Sequence, residues 1–270
     1  MKLHSVSITI ADDCIGDKEF EYVFSFRREF VTDYLSRKVR PLKIETGGCF
    51  TMITQKLVKD VKQPRIADYL RVLITNHLFT PEMKEELVCQ MGTPGEYEYY
   101  LSLLEDSYRQ AATIMPIPVN TLLHLHDEFR QVGYKNEWLL WSRNIKEFNI
   151  AIELKCFFTT VDFRLEVEAF DYRKTHRIAK GIILQTPPDR ICFDKDIRKV
   201  RINGDKVEIL DFLGFPKTDL NLKDLADGKV TIQHHDKPYL VGESWYKTIE
   251  ETLRSSQNVI RRLKTFGNTK

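Results

Sequence analysis

Two charged residues in a strand-like run form the pattern with the most specific chemistry in this sequence. Glu153 and Lys155 lie within N-I-A-I-E-L-K-C-F-F at 149–158, and residues two apart on a strand point to the same side. A carboxylate that holds a divalent metal, next to a lysine that steers phosphate or activates water, would form a nuclease active site. That site needs a carboxylate from a neighbouring strand, and Glu137 is the nearest candidate.

The stretch I-A-I-E-L-K resembles the acid–x–lysine strand of nucleases of the PD-(D/E)xK type, with W-L-L-W-S-R before it as the partner strand. The resemblance implies Mg²⁺ or Mn²⁺ as cofactor, Glu137 and Glu153 as metal ligands, and Glu153 and Lys155 as catalytic residues. It covers about twenty residues. No Pro-Asp precedes the strand, Asn136 stands where an aspartate is expected, and a strand rather than a helix follows.

The same residues also fit the solvated face of an antiparallel sheet, and we prefer this interpretation. Apolar side chains alternate from Phe148 to Phe158, so Glu153 and Lys155 share the other face. If Thr160-Val161 form a two-residue turn, Lys155 lies across from Glu166 and Glu153 across from Glu168. The second pair is a like-charge contact that a nearby lysine or a metal must relieve. Arg164 is predicted on the same charged face.

Other candidate motifs have simpler structural explanations. His124 and His126 lie two apart in a predicted helix, point about 200° apart and are expected to be exposed. His234-His235 is predicted to be a loop pair. A basic strip on the terminal helix could contact phosphate, but cations near a helix C-terminus also complement the helix dipole. Its members are Lys247, Arg254, Arg261, Arg262 and Lys264.

Composition indicates a packed protein and sets no strong electrostatic bias. Of the 270 residues, 42% are apolar and 30% charged, and the net charge is +2. Five scattered cysteines without a C-x-x-C pair predict reduced thiols in a cytoplasmic protein. No signal peptide and no membrane-spanning run is recognised, so no membrane partner is expected, and nucleic acid is an alternative that the charge does not favour.

Hydrophobic periodicity divides the chain into strands, then helices, then strands. Residues 1–60 predict strands, including one at 20–26 and a hairpin around Gly47-Gly48, whereas 28–39 is ambiguous. Residues 64–132 predict helices, the first carrying a stripe from Ile66 to Leu78. Thr80-Pro81 predicts a helix start, and Thr93-Pro94-Gly95-Glu96 predicts a capping box in which Glu96 reaches back to the Thr93 N–H.

The second half returns to a period of two. Consecutive strands are predicted at 137–143, 148–158, 162–171 and 177–184, followed by a hairpin at Asn203-Gly204, a strand at 229–233 and a helix at 244–265. We therefore predict an α+β fold in one domain, 1–270. Its largely antiparallel sheet, from the N-terminal strands and the 137–184 meander, packs against the helical subregion and the C-terminal helix. The alternative is a split near 60 and 133.

For function, the leading hypothesis is a non-enzymatic protein that binds and regulates or neutralises another protein, a category that includes immunity proteins and antitoxins. No cofactor is expected. Trp138 and Trp141 are three apart on a strand and face opposite ways, so one could anchor a partner. The predicted binding residues are Trp138, Trp141, Glu153, Lys155, Arg164, Glu166 and Glu168. The metal-dependent nuclease is the first alternative, and a small-molecule sensor with an aromatic-lined pocket is the second.

Overall fold

A computed structural model describes residues 1–12, 14–67, 69–235 and 249–266. The chain divides into two compact units, Met1–Asn136 with Thr265–Lys270, and Glu137–Lys264. The predicted α+β class is confirmed, with mostly antiparallel strand pairs and a C-terminal helix. That residues 1–270 form a single domain stays a prediction, because two compact units can belong to one domain. Of the two alternative boundaries, the one near 133 lies close to the division and the one near 60 has no counterpart.

The first unit contains a four-stranded sheet in the order β1-β2-β4-β3. Its strands are β1 (Ser5–Ile10), β2 (Met52–Val58), β3 (Arg65–Ala67) and β4 (Val72–Leu78). Strands β1 and β4 run parallel to β2, whereas β3 is antiparallel to β4. The N-terminal strands therefore form their own, mainly parallel sheet and do not join the meander. Parallel neighbours need a crossover connection, and two helices supply the first one.

Five α-helices complete the described part of the first unit. They are α1 (Lys18–Arg27), α2 (Glu29–Leu42), α3 (Pro81–Gln90), α4 (Pro94–Ile114) and α5 (Val119–Gln131). The predicted helix starts are confirmed: Thr80 and Thr93 cap α3 and α4 through their side chains, and proline follows each cap. The ambiguous stretch 28–39 is helical. Among the described residues, no helix is long and apolar enough to cross a bilayer.

The strand predicted at 20–26 is wrong, because this stretch forms α1. Aromatic residues alternate along it, but the buried positions are Phe20, Val23, Phe24 and Arg27, which is the spacing of one helix face. Asp17 fixes the start, since its carboxylate accepts a hydrogen bond from the Phe20 N–H at 3.0 Å. The aromatic residues at 20–26 fit the period of a strand and that of a helix, and the Asp17 cap and the packing select the helix.

Two further predictions in the first unit are wrong. Gly47 and Gly48 do form a turn, with φ of 57° and 78°, but no hairpin, because β2 pairs in parallel with β1. The stripe from Ile66 to Leu78 forms β3, a short 3-10 turn and β4 rather than a helix. Strand β4 lies between β2 and β3 and is buried on both faces, so its sequence lacks an alternating pattern.

The second unit contains two antiparallel four-stranded sheets. The first, in the order β5-β6-β7-β8, confirms the predicted meander, and the second has the order β12-β11-β10-β9. The strands are β5 (Asn136–Ile145), β6 (Ile150–Phe158), β7 (Phe163–Asp171), β8 (Arg177–Thr186), β9 (Lys199–Asn203), β10 (Lys206–Leu210), β11 (Pro216–Asn221) and β12 (Ile232–His234). The helices are α6 (Arg190–Phe193), α7 (Leu222–Ala226) and α8 (Ile249–Thr265).

Boundaries in this unit differ slightly from the predictions. The β9–β10 hairpin is confirmed, but Asn203 pairs with Lys206, so its turn residues are Gly204 and Asp205. The strand predicted at 229–233 is β12. The predicted helix at 244–265 is confirmed over α8, and its residues 244–248 lie outside the described part. The core includes Phe163 stacked on Phe193, with ring centroids 3.6 Å apart.

Candidate interaction face

The charged face predicted on β6 and β7 is present in the second unit. The two strands pair in the predicted register, with Lys155 opposite Glu166 and Glu153 opposite Glu168. Leu154 and Cys156 point to the other side and are fully buried. Strand alternation thus sets which residues share the face, and the turn at Thr160-Val161 sets which of them meet.

Lysines relieve the like-charge contact between Glu153 and Glu168. The Lys155 ammonium lies between the two carboxylates, with its Nζ 2.9 Å from Glu153 Oε2 and 2.6 Å from Glu168 Oε2. Lys174 contacts the other oxygen of Glu153 at 2.6 Å. Lys155 therefore bridges Glu153 on its own strand and Glu168 diagonally across on β7, although its directly opposite residue is Glu166.

Cations besides Lys155 also hold the two glutamates of β7, and one of them, Lys180, lies 3.6 Å from Glu168 Oε1. Arg177 Nη1 contacts Glu168 Oε1 at 2.8 Å. Glu166 is held by Lys180 at 2.8 Å and by Arg164 at 3.3 Å. We call this set the charged face; its residues are Glu153, Lys155, Arg164, Glu166, Glu168, Lys174, Arg177 and Lys180.

The charged face has two levels, with acids beneath cations. The side chains of Glu166 and Glu168 are 5% and 10% exposed, whereas those of Lys180 and Arg177 are 44% and 52% exposed. The carboxylates anchor the cations, and the cations form the surface that solvent or a partner meets. Long side chains held in this way lose less conformational entropy when they bind something else.

The pKa directions agree with this arrangement. Hydrogen bonds from Lys174 and Lys155 hold the pKa of Glu153 below its ordinary value. Burial alone would raise the pKa of Glu168, but the hydrogen bonds from Lys155 and Arg177 outweigh it and lower the pKa. The bond to Glu168 raises the pKa of Lys155. All three groups are therefore charged at neutral pH.

Aromatic rings lie beside the cations. The Lys180 and Arg164 side chains lie over Phe157, at 5.8 Å and 5.7 Å from the ring centroid. Lys155 lies 5.8 Å from the centroid of Phe170. Cation–π contacts of this kind add to the ordering of the charged groups.

The two tryptophans fall on either side of the sheet. Trp138 is half-buried, and its ring lies 6.0 Å from that of the buried Phe163, so it belongs to the core side. Trp141 is half-buried too, and its position three residues further along β5 directs it to the opposite side. Of the two, Trp141 is the one whose direction suits a contact on the charged face.

The predicted metal pair does not come together. Strands β5 and β6 are antiparallel neighbours joined by a short connection, so Glu137, near the start of β5, lies level with the end of β6. Glu153 lies near the middle of β6, and both of its oxygens contact lysines. Among the described residues, no three His, Cys, Asp or Glu side chains form a group that could hold a metal ion.

Comparison with protein-family models, with curated proteins and with solved structures finds no match to this chain. Its function is therefore inferred from the geometry of its own residues.

Sequence reasoning missed Lys174, Arg177 and Lys180. Arg177 and Lys180 are three apart, so simple alternation assigns them to opposite faces. A register shift in the β7–β8 pairing, between Ala169 and Phe170, brings both onto the charged face. Lys174 lies at the tip between β7 and β8 and has a positive φ of 59°.

The other motifs have structural roles. His124 is exposed as expected, but His126 is buried in the first unit, 3.5 Å from the Tyr108 hydroxyl. His234 contacts the Thr218 hydroxyl at 3.1 Å, and His235 contacts Asp219 at 2.9 Å. In the terminal strip, Lys247 lies outside the described residues, and the side chains of the other four members are exposed on α8.

Proposed function

We propose that this protein binds another protein through the charged face and thereby regulates or neutralises it. The observation that carries the proposal is the ammonium of Lys155 lying between the carboxylates of Glu153 and Glu168. A nuclease of the first alternative would place a metal ion beside Glu153, where this structure has an ammonium group. The same arrangement orders a surface of cations and aromatic rings, which is common chemistry for protein recognition.

The partner surface that fits is acidic. The buried glutamates anchor cations that stay largely exposed, with the Lys180 and Arg177 side chains 44% and 52% exposed. Complementary charge would speed association and select the partner, and hydrophobic contact with Phe157 and the 46% exposed Ile182 would add affinity. Binding of this kind should weaken as salt is added.

The test compares two charge-matched pairs of substitutions in the second unit. Arg177→Ala with Lys180→Ala removes two outer cations of the charged face. Lys199→Ala with Lys229→Ala removes two exposed lysines outside it. Proteins from the chain's own source cells are captured on wild type and both variants, and each protein that prefers wild type is purified and titrated by calorimetry.

We expect the face pair to weaken binding at least about tenfold, which is about 1.4 kcal/mol, and the control pair to change it less than about twofold. Thermal midpoints measured on all three chains separate lost contacts from lost folding. Equal binding by both pairs would refute the proposal. Stoichiometric Mn²⁺ binding that is lost in Glu153→Ala would restore the nuclease alternative.

The small-molecule sensor is a second candidate, favoured by one observation. The second unit encloses a cavity of about 140 Å³ with a mostly apolar lining that includes Leu165, Ile183 and Ile209. His234, hydrogen-bonded to Thr218, supplies a polar group at its wall. An aromatic lining was predicted, but the apolar side chains of the described lining are aliphatic. A thermal-shift screen of small apolar compounds, repeated on Ile209→Phe to fill the cavity, tests this candidate.

A further inference from the structure

A second concentration of charge lies in the first unit and differs in its composition. A cleft of about 260 Å³ is lined by Lys56, Lys59, Lys62 and Arg65, and Asp60 is the single carboxylate among its described lining residues. The formal net charge of these described lining residues is +3. Among the residues that the structure describes, none of these four cations takes part in an ion pair. This cleft was not singled out by any sequence motif.

The position of the cleft follows from the parallel sheet. Strands β1, β2 and β4 run in the same direction, and residues at or beyond their carboxyl ends line the cleft: Ala11 after β1, Val58 and Lys59 at the end of β2, and Asn76 near the end of β4. In open sheets with parallel strands, ligands bind outside the carboxyl ends of the strands.

Strand register brings two of the cations to the same face. Lys56 pairs with Asn76 across β2 and β4, and Arg65 pairs with Ile74 across β3 and β4. Residues two apart on β4 share a face, so Lys56, Arg65, Ile74 and Asn76 all face the cleft. Two cations from strands that are separate in sequence thus meet above one sheet face.

The loop after β2 supplies the other two cations and is fixed in place. The Asn76 side-chain amide donates a hydrogen bond to the Lys62 carbonyl oxygen at 3.1 Å, and Asn76 is 7% exposed. The Phe79 N–H donates to the Val58 carbonyl oxygen at 2.9 Å, which ties the start of the loop to β4. Lys59 and Lys62 therefore extend from a loop whose backbone is anchored.

We propose that this cleft binds a small, multiply charged phosphate compound, of the di- or triphosphate class. Four cations against one carboxylate match an anion of about three negative charges, and both a lysine array and an arginine suit phosphate oxygens. The cleft, at about 260 Å³, has room for a short phosphate chain. The site goes beyond the function proposed above and uses the other unit, so either proposal can fail alone.

Titration calorimetry with inorganic tripolyphosphate at low ionic strength tests this site. The test variant is Lys59→Ala with Lys62→Ala, and the charge-matched control is Lys43→Ala with Lys135→Ala, two exposed lysines of the same unit outside the cleft. We expect saturable one-to-one binding by wild type, weakened at least about tenfold in the test variant and less than about twofold in the control. Thermal midpoints without ligand show that both variants fold.

Three results would overturn the proposal. Absence of saturable heat at millimolar tripolyphosphate would mean that the cleft has no such ligand. Equal weakening in the control, or equal binding of sulfate at matched ionic strength, would indicate diffuse attraction of anions. Tighter binding of a single-stranded oligonucleotide, lost in the same test variant, would assign the cleft to nucleic acid instead.

Discussion

The charged face of the second unit and the basic cleft of the first unit place similar numbers of cations on strands and their adjoining loops, with opposite electrostatic results. On the charged face, Glu153 and Glu166 each contact two cations and Glu168 contacts three. In the cleft, four cations share one carboxylate, Asp60, which no described ion pair joins to them. Cations paired to buried acids are held as part of the fold, whereas unpaired cations raise the local positive potential and favour an anionic ligand.

The difference shows why counting charges along a sequence does not identify a binding site. The basic residues of the two regions are alike in type and in number. Their partners differ, and the partners come from neighbouring strands and turns. Substitutions that remove one side of an ion pair should therefore cost stability in proportion to the burial of the group left behind, and substitutions in the cleft should cost little.

The largest effect is expected where a carboxylate is completely buried. In the first unit, Glu96 is 0% exposed and forms a two-point ion pair with Arg27, at 2.7 Å to Nε and 2.6 Å to Nη2. Arg27→Met leaves this carboxylate without its counter-charge and should lower the free energy of unfolding by about 3–5 kcal/mol. Urea denaturation followed by circular dichroism measures the loss.

The double variant Arg27→Met with Glu96→Leu is the control for this prediction. Removing both charges should recover most of the lost stability, although the Gly92 N–H then loses its acceptor in Glu96. A loss below about 1 kcal/mol in the single variant would show that water reaches the pair.

Mild acid should destabilise the first unit more than the second. Burial lowers the pKa of His126 from 6.5 to about 4. Above pH 6.5 the imidazole is neutral in both states, so it contributes nothing to the pH dependence. Between pH 6.5 and about 4 the unfolded chain takes a proton that the folded chain does not, so stability falls, by about 3 kcal/mol in all. Hydrogen exchange across this range, corrected for intrinsic rates, should show early loss of protection in α4 and α5.

The second unit should lose less stability over this range, although burial also lowers the pKa of its half-buried His234. The pKa values of Glu153 and Glu168 are lowered, so their ion pairs contribute stability above about pH 4.5 and lose it as pH falls through the folded pKa values. His126→Leu should remove the early loss of protection in the first unit. The control, His124→Leu, changes an exposed histidine of the same helix and should keep this early loss. Simultaneous loss of protection in both units would contradict the assignment to His126.

A smaller effect should distinguish the charged face from the cleft directly. Lys155→Met leaves Glu153 opposite Glu168 with one bridging ammonium fewer, and should cost about 1–2 kcal/mol of unfolding free energy at low salt. Lys59→Met in the cleft makes the same chemical change without leaving an acid unpaired, and should change stability by less than about 0.5 kcal/mol. Urea denaturation of both variants at low and high salt measures the contrast.

Salt provides the internal control for this pair. Added salt should recover part of the loss in Lys155→Met, because it screens the repulsion between the two glutamates. Equal destabilisation by the two variants would show that the carboxylates of the charged face do not hold their cations more firmly than the cleft does.

The sequence predicted most reliably the elements that are marked by neighbouring residues and that fit only one type of secondary structure. In the meander, β6 alternates buried and less buried residues, and the register of β6 on β7 follows from a two-residue turn at Thr160-Val161. The starts of α3 and α4 follow from Thr80 and Thr93 with their prolines. The charged residues of β6 and β7 were therefore placed correctly on one face.

Prediction failed where the residues fit both a strand and a helix, or where a side chain binds a partner that is distant in the sequence. The aromatic run at 20–26 fits a strand or a helix, and β4 lacks alternation because it is buried on both faces. The capping box at Thr93 is half correct: Thr93 accepts from the Gly95 N–H, but Glu96 binds Arg27 and the Gly92 N–H rather than the Thr93 N–H. Each of these outcomes depends on packing that no local window contains.

The sequence by itself determined which side chains of β6 and β7 share a face, because the period of a strand is fixed by backbone geometry. Only the tertiary structure decided which cations reach them, since a register shift on β8 and the tip at Lys174 bring in groups from later in the chain. Likewise, only the pairing of β4 with β2 on one side and with β3 on the other gathers Lys56, Lys59, Lys62 and Arg65 in one cleft. Local geometry sets the direction of a side chain, but long-range pairing sets its neighbours, and charge chemistry depends on the neighbours.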